Sequence, residues 1–155
     1  MKKFLVFIAL FNMFMLRSNA DTTSNVFAFF DKFVNLSNEY NLEVLKMYSN
    51  NPVIKRRVLK KEPVLVVVPF AELVKMQQAF NKYKKHLKNT KNFYNNRKIT
   101  NLGNETYKIS AQRCPTVMNG CFNSYMIIKK ENGEFKIIEE YSDVKSTYFL
   151  KYRDK

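Results

Sequence analysis

Carboxylates and phenols are the side chains of this sequence that could carry out acid–base chemistry, and four of them are candidates. They are Glu139, Asp31, Tyr40 and Tyr125. A general base works best inside an apolar cavity, where burial moves its pKa toward the working pH. Glu139 shares one face of a predicted strand with Phe135 and Ile137. If that face lines a cavity, Glu139 would be the base and Tyr40 or Tyr125 a nearby hydroxyl donor.

The other titratable residues fit this chemistry less well. Asp31 lies on the polar side of a predicted helix, although a modest rotation of that helix would turn its side chain inward. Glu140 shares its strand face with Glu134 and Lys136, which predicts that it faces solvent. The single histidine, His86, stands among lysines near the end of a helix. That position predicts an exposed side chain and a poor base.

Metal and nucleophile chemistry have no set of residues to support them. One histidine and two cysteines cannot supply a Cys/His zinc site. No serine stands in the glycine-flanked context of a nucleophile elbow. We therefore expect no metal and no cofactor, and any catalysis would depend on the carboxylates and tyrosines.

The first twenty residues are typical of a cleavable secretory leader, with its basic, apolar and small-residue parts in order. These parts are Lys2 and Lys3, the 13-residue apolar run from Phe4 to Leu16, and Ser18 and Ala20 before cleavage at Asp21. A membrane-spanning helix needs about 20 apolar residues, so the run is short for an anchor. An uncleaved signal anchor is the alternative. We expect residues 1–20 to be removed and 21–155 to form one domain, secreted or in a bacterial periplasm, with no transmembrane segment.

The two cysteines, Cys114 and Cys121, are predicted to form a disulfide, because the leader directs them to an oxidising compartment. The segment between them contains Pro115, Asn119 and Gly120, which is typical of a turn between two strands. A redox-active pair would more typically be spaced as Cys-x-x-Cys. A structural bridge across the neck of a hairpin is therefore expected.

Basic residues outnumber acidic ones after the leader by 24 to 13, which is a net charge of +11. They form two groups in the sequence: Lys55, Arg56, Arg57, Lys60 and Lys61, then Lys82, Lys84, Lys85, Lys88 and Lys91. Such a surplus attracts phosphate, anionic lipid or acidic polymers, or is simply a solvated basic face. With three glycines in the chain there is no phosphate-cradling loop, which argues against a nucleic acid partner.

Helices are predicted to come first and a long antiparallel meander after them, which is an α+β pattern. The predicted helices cover Val26 to Tyr40, Leu42 to Tyr48 and Phe70 to Leu87, and two strands, Val53 to Leu59 and Val64 to Val68, precede the third helix. The uninterrupted apolar run of the second strand predicts burial on both faces. Later strands at Tyr107 to Ala111, Phe122 to Ile128 and Phe135 to Tyr141 form an antiparallel meander, with Asn132-Gly133 as a hairpin turn.

Two segments resemble parts of the nuclear transport factor 2-like superfamily. FNSYMIIKKENGEFKIIEEYSDV (Phe122 to Val144) resembles its terminal hairpin, and NLEVLKMYSNNPVI (Asn41 to Ile54) is similar to its early helix and the turn into the first strand. The helix from Phe70 to Leu87 falls where such domains place their third helix. The resemblance implies a cone, in which a curved antiparallel sheet wraps around about three helices and an apolar pocket opens at one end.

A fold shared by isomerases, dehydratases, cyclases and subunits that only bind or dimerise does not determine a function. We expect an exported, non-catalytic binding or assembly domain that uses the pocket for a small apolar ligand or the sheet face for a protein partner. One alternative is a small cofactor-independent lyase or isomerase using Glu139 or Asp31. Another is a basic protein that binds an anionic polymer or membrane. Apolar residues on both faces of the Phe122 to Ile128 strand also predict a homodimer through the sheet.

Overall fold

The computed structural model describes residues 22–153, so the predicted leader and its cleavage site lie outside the described residues. Within that part of the chain, an α-helix and a short 3-10 helix come first, two strands follow, and a second α-helix precedes a run of four strands. The α-helices are α1 (22–38) and α2 (Phe70–Tyr83), and shorter 3-10 helices cover Leu42–Met47 and Thr147–Tyr152. The strands are β1 (Tyr48–Val58), β2 (Val64–Val68), β3 (Asn92–Gly103), β4 (Thr106–Pro115), β5 (Phe122–Glu131) and β6 (Glu134–Val144).

The strands of residues 22–153 form one open sheet in the order β2-β1-β6-β5-β4-β3. Neighbouring strands are antiparallel except β1 and β6, which run parallel. Parallel neighbours need a long connection, and here β2, α2 and strands β3 to β5 supply it. The predicted α+β class, with a sheet packed on a few helices, is confirmed. The sheet is mixed, however, and not antiparallel throughout as expected.

Helix α1 packs its apolar stripe against the sheet. Val26, Phe30 and Phe33 recur at helical spacing and are all buried. The helix ends where Tyr40 adopts a positive φ of 52° and the Asn41 N–H bonds to the Leu36 carbonyl at 2.9 Å. A left-handed residue at this position is a common way to end a helix. The predicted face of this helix is therefore the one that the structure buries.

One face of the sheet, called the inner face here, carries the core. Ile54, Ile109, Ile128 and Ile137 come from β1, β4, β5 and β6, and each is 0% exposed. Side chains alternate between the two faces of a strand, so these isoleucines define which residues point toward the helices. The opposite face is called the outer face.

A β-bulge in β6 reverses this alternation. Ile137 is paired with Ile128, but Glu139 is paired with Ile127, so Ile138 is an extra residue in β6. Before the bulge, odd-numbered residues such as Ile137 point inward. After it, the inward positions are the even-numbered ones, and Ser142 is buried accordingly. A one-residue shift of this kind moves every following side chain to the other face.

Strand β2 differs from its prediction as a doubly buried strand. It lies at the edge of the sheet and is paired only with β1 among the described strands. Val66 and Val68 are buried, whereas Leu65 is 55% and Val67 is 51% exposed. An apolar run alone cannot distinguish an edge strand from a central one, because that difference depends on which elements cover the second face.

Two predicted helices are shorter in the structure. The Leu42 to Tyr48 segment is a 3-10 helix that ends at Met47, and Tyr48 begins β1. Helix α2 ends at Tyr83, and the chain continues through Leu87 in single turns bonded over three residues. Neither α1 nor α2 is long and apolar enough to cross a membrane, and the same holds for every helix in residues 22–153.

Candidate functional site

A cavity of about 360 Å³ lies between the inner face of the sheet and the helices. Its apolar walls come from both helices, from β4 and β5, and from the second 3-10 helix. They include Phe30, Phe33, Leu73, Met76, Phe80, Ile109, Met126 and Phe149. The exposed side chains among its lining residues, Phe80, Met118, Lys145 and Ser146, mark its rim. Mostly apolar cavities of this size are typical of small-molecule sites.

A carboxylate stands in the cavity wall and is held by two neighbours. The hydroxyl group of Tyr48 donates to Glu140 Oε2, and Nη2 of Arg56 lies 2.5 Å from Glu140 Oε1. Burial and the adjacent Glu140 carboxylate raise the pKa of Tyr48 well above its ordinary value, so its proton stays on the phenol. We call these three residues the Glu140 triad. Both Glu140 oxygens accept a hydrogen bond within it.

A second arginine reaches the same cavity from β4. Arg113 donates from Nη1 to Asn92 Oδ1 and from Nη2 to the Asp143 carbonyl oxygen, each at 3.2 Å. Its buried Nε has no hydrogen-bond partner in residues 22–153. Burial lowers the pKa of Arg113, but a guanidinium group remains protonated in proteins. Its hydrogen-bond acceptors within residues 22–153 are therefore neutral groups, and the Glu140 and Asp143 carboxylates act on it only through space.

Tyr94 is the cross-strand neighbour of Arg113 and also lines the cavity. Its ring packs edge-on against Phe30, with centroids 5.2 Å apart. Burial raises the pKa of Tyr94 to about 12. No residue of the described range forms a hydrogen bond with its hydroxyl group. That hydroxyl is a protonated donor near Arg113.

Glu139 and Tyr125 meet on the outer face of the sheet. The Tyr125 hydroxyl donates to Glu139 Oε1 at 2.6 Å, and Lys55 Nζ lies 2.8 Å from the other carboxylate oxygen. Burial raises the pKa of Glu139, but the bonds from Lys55 and Tyr125 outweigh it and leave that pKa below its ordinary value. Burial, with the Glu139 contact, raises the pKa of Tyr125. The structure brings this predicted pair together on the outer face, and of the two only Tyr125 also contributes to the cavity lining.

The prediction that Glu140 faces solvent is wrong. Its side chain is 15% exposed and sits in the triad that lines the cavity. The bulge at Ile138 is the physical reason, because it places Glu140 where uninterrupted alternation would have placed Glu139.

The remaining candidates lie away from the cavity. Asp31 is exposed on α1 and forms an ion pair with Arg97. The Tyr40 hydroxyl donates to the Thr90 carbonyl oxygen at 2.6 Å, so it ties the end of α1 to the chain before β3. His86 is exposed, as predicted.

The first predicted basic group does not form a surface patch. Along β1, Lys55 and Arg57 point outward and pair with Glu139 and Asp143, whereas Arg56 points inward and is 8% exposed. Strand alternation separates consecutive residues in this way. The second group is exposed at and beyond the end of α2, with Lys82, Lys84, Lys85 and Lys88 all in solvent.

The predicted disulfide between Cys114 and Cys121 is confirmed. It closes the β4–β5 connection, which carries Met118 to the rim of the cavity. Within residues 22–153, no group of three or more His, Cys, Asp or Glu side chains could hold a metal ion.

The functional residues that the sequence analysis missed had a weak signal in the sequence. Arg56 lies between Ile54 and Val58 at strand spacing, and Arg113 follows Ile109 and Ala111 in the same way. A charged residue that continues an apolar strand face is costly to bury unless it has a partner, so such a position marks a candidate site. Nothing in the sequence marks the Ile138 bulge.

Comparison of the sequence with protein-family models and with curated proteins finds no match. Similar solved structures exist. A protein of unknown function from Pectobacterium atrosepticum has 15% identity and a TM-score of 0.61, covering 82% of this chain and 93% of that one. A nuclear transport factor 2-like protein from Cytophaga hutchinsonii has 10% identity and a TM-score of 0.60, covering 79% and 97%. A candidate dehydratase of the same family from Streptomyces avermitilis has 8% identity and a TM-score of 0.57, covering 80% and 96%.

These similarities, with the open sheet around the helices, define the fold. The chain has the nuclear transport factor 2-like fold, which is also described as cystatin-like in a similar structure from Nostoc punctiforme. The fold that the resemblance in the sequence implied is confirmed.

Proposed function

We propose that this protein is a non-catalytic binding domain whose cavity takes a small, mainly apolar molecule. The observation that carries the proposal is the cavity itself, whose walls are apolar and whose polar groups are few and convergent. Most lining residues come from α1, α2 and five strands, so the site is held mainly by the regular elements of the fold.

The state of Glu140 supports binding over catalysis. A general base needs a carboxylate lone pair within reach of the substrate proton, and hydrogen bonds to the charged form make the carboxylate a weaker base. Both Glu140 oxygens are already engaged, one by Tyr48 and one by Arg56. Glu139 and Asp31, the carboxylates of the alternative enzyme hypothesis, do not line the cavity. The Glu140 triad therefore fits a structural and recognition role.

Titration with a neutral fluorescent probe, N-phenyl-1-naphthylamine, tests the proposal. Its emission rises when it leaves water, and it is excited where tryptophan does not absorb. We expect saturable binding to the wild-type protein and its loss in Leu73→Trp, which fills the cavity. Leu65→Trp is the matched control, because it adds the same ring to an exposed position on β2. Equal binding by both variants would show that the cavity is not the site.

A second candidate is a cofactor-independent lyase or isomerase in which Glu140 would replace Glu139 as the base. It is favoured by the carboxylate and phenol that the triad places in the cavity wall, and by the similar Streptomyces avermitilis structure that is a candidate dehydratase. Turnover of β-hydroxy carbonyl compounds that Glu140→Gln abolishes, with probe binding retained, would establish this function. No turnover in the wild-type protein would leave the binding domain as the better account.

We also propose that the protein acts outside the cytoplasm, which the predicted leader and the disulfide support. Expression of the full chain in a bacterial host, followed by N-terminal sequencing of the periplasmic fraction, should find a chain that begins at Asp21. A full-length chain held at the membrane would instead indicate a signal anchor.

A homodimer through the outer face stays a prediction. Tyr125 and Ile127 are half-buried there, and Leu65 and Val67 add exposed apolar area on β2. Light scattering across a range of concentrations would test it, and a strict monomer at high concentration would contradict it.

A further inference from the structure

The charges that face the cavity do not balance. Arg56, Arg113 and the rim residue Lys145 line it against one carboxylate, that of Glu140, which leaves two positive charges in excess, one of them exposed at the rim. Arg56 forms an ion pair with Glu140, with Nη2 lying 2.5 Å from Oε1. The Asp143 carboxylate also acts on Arg113 through space, but it lies on the outer side and is bonded to Arg57 and Tyr141. Only the Asp143 backbone carbonyl reaches Arg113.

Arg113 also has donors to spare. A guanidinium group carries five N–H donors, and two of those on Arg113 have acceptors within residues 22–153, which leaves three without one. Burying a charge without a counter-charge is costly, so a group that occupies the cavity and supplies that charge would be strongly favoured. A planar carboxylate matches the donors of a guanidinium group and can bind two of them at once.

The hydroxyl group of Tyr94 adds another donor beside this guanidinium. Tyr94 and Arg113 are directly opposite each other on β3 and β4, and both line the cavity. Side chains at opposite positions of an antiparallel pair lie on the same face, with Cβ atoms about 5 Å apart. An oxygen atom bound to Arg113 can therefore also accept from Tyr94.

We propose that the ligand of this cavity is an apolar monocarboxylic acid, with its carboxylate on Arg113 and Tyr94 and its apolar body against the aromatic and aliphatic walls. The proposal rests on the proposed function, since it names the ligand class of the same cavity. The 360 Å³ of the cavity admit roughly a dozen non-hydrogen atoms at about 30 Å³ each. A straight-chain acid of about ten carbons is therefore a suitable probe.

Calorimetric titration of decanoate and of 1-decanol at neutral pH tests the proposal. The two probes share an alkyl chain and differ in the charged head. A hydrogen-bonded charge contributes about 1.5–3 kcal/mol, so we expect decanoate to bind the wild-type protein about 10- to 100-fold more tightly. Arg113→Gln should remove this preference while decanol binding changes by less than about threefold. Arg97→Gln, the same change at an exposed position on β3 outside the cavity, should retain the full preference.

Tyr94→Phe keeps the experiment decisive if Arg113→Gln does not fold. It removes one hydroxyl group and keeps the ring that packs on Phe30. The preference for decanoate should fall about 2- to 10-fold in this variant. Decanol binding equal to or tighter than decanoate binding in the wild-type protein would overturn the carboxylate proposal and leave the binding function standing. No binding of either probe would overturn the proposed function itself.

Discussion

Neighbouring residues Glu139 and Glu140 offer a direct test of the bulge in β6, because the same substitution at each should have different costs. Glu140→Gln removes the charge that pairs with Arg56, whose side chain is 9% exposed. Breaking a buried ion pair costs about 3–5 kcal/mol, because the remaining charge is left without a partner. Glutamine keeps the volume and one acceptor for Tyr48, so we expect the lower end, about 3 kcal/mol of unfolding free energy.

Glu139→Gln is the matched control on the outer face. It breaks the pair with Lys55, whose side chain is 29% exposed and keeps access to water. Pairs at such positions contribute about 1 kcal/mol or less. With a urea dependence of about 2 kcal/mol per molar, the unfolding midpoint should fall by about 1.5 M for Glu140→Gln and by no more than about 0.5 M for Glu139→Gln.

Urea titrations followed by circular dichroism measure both midpoints. A double variant, Arg56→Met with Glu140→Met, sharpens the test. It removes both charges and should be more stable than Glu140→Gln, because no unpaired charge remains. An equal or larger loss for Glu139→Gln would refute the assignment of Glu140 to the inner face.

Three further predictions concern stability. Replacing both Cys114 and Cys121 by serine opens a loop of eight residues and should lower the unfolding free energy by about 2.5 kcal/mol in urea titrations, whereas an unchanged midpoint would show that the bridge contributes nothing. Burial raises the pKa of Asp143, but the hydrogen bonds from Arg57 and Tyr141 outweigh burial and leave that pKa below its ordinary value. The ionised Asp143 should therefore stabilise the fold above about pH 3.9, and this stabilisation should be lost as the pH falls through the lower pKa of the folded state. Asp143→Asn should therefore lower the midpoint at pH 7 and flatten its fall between pH 5 and pH 2, and a parallel acid profile would contradict this. In β2, Val66→Ala should lower the unfolding free energy by about 2 kcal/mol and Val67→Ala by less than about 0.5 kcal/mol, as measured by thermal unfolding. Equal losses in the two variants would mean that β2 is not an edge strand.

Features with a local cause could be predicted from the sequence. Helix α1 buries the stripe that its spacing indicates, because Val26, Phe30 and Phe33 share a face in any α-helix. The Asn132-Gly133 turn joins β5 to β6 because both residues adopt positive φ there, at 51° and 85°. The disulfide joins two cysteines that are close in the chain.

The site could not be predicted in the same way, because its residues come from strands that are distant in the sequence. Tyr48, Arg56 and Glu140 meet only because β1 lies beside β6, and this parallel pairing depends on the whole meander between them. Tyr94 and Arg113 are neighbours through the β3–β4 register, which shifts between Asn95 and Lys98. Alternation within one strand does not indicate either contact.

The sequence by itself determined the α+β class, the superfamily resemblance, the apolar face of α1 and the disulfide, since each follows from periodicity or from residues close in the chain. Its predicted leader lies outside the described residues and stays a prediction. Only the tertiary structure decided which carboxylate enters the cavity. One extra residue, Ile138, turns Glu140 inward and Glu139 outward, and whether a strand admits such a residue depends on the strands beside it. The unpaired charge of Arg113, from which we infer a carboxylate ligand, likewise exists only once five strands and two α-helices enclose it.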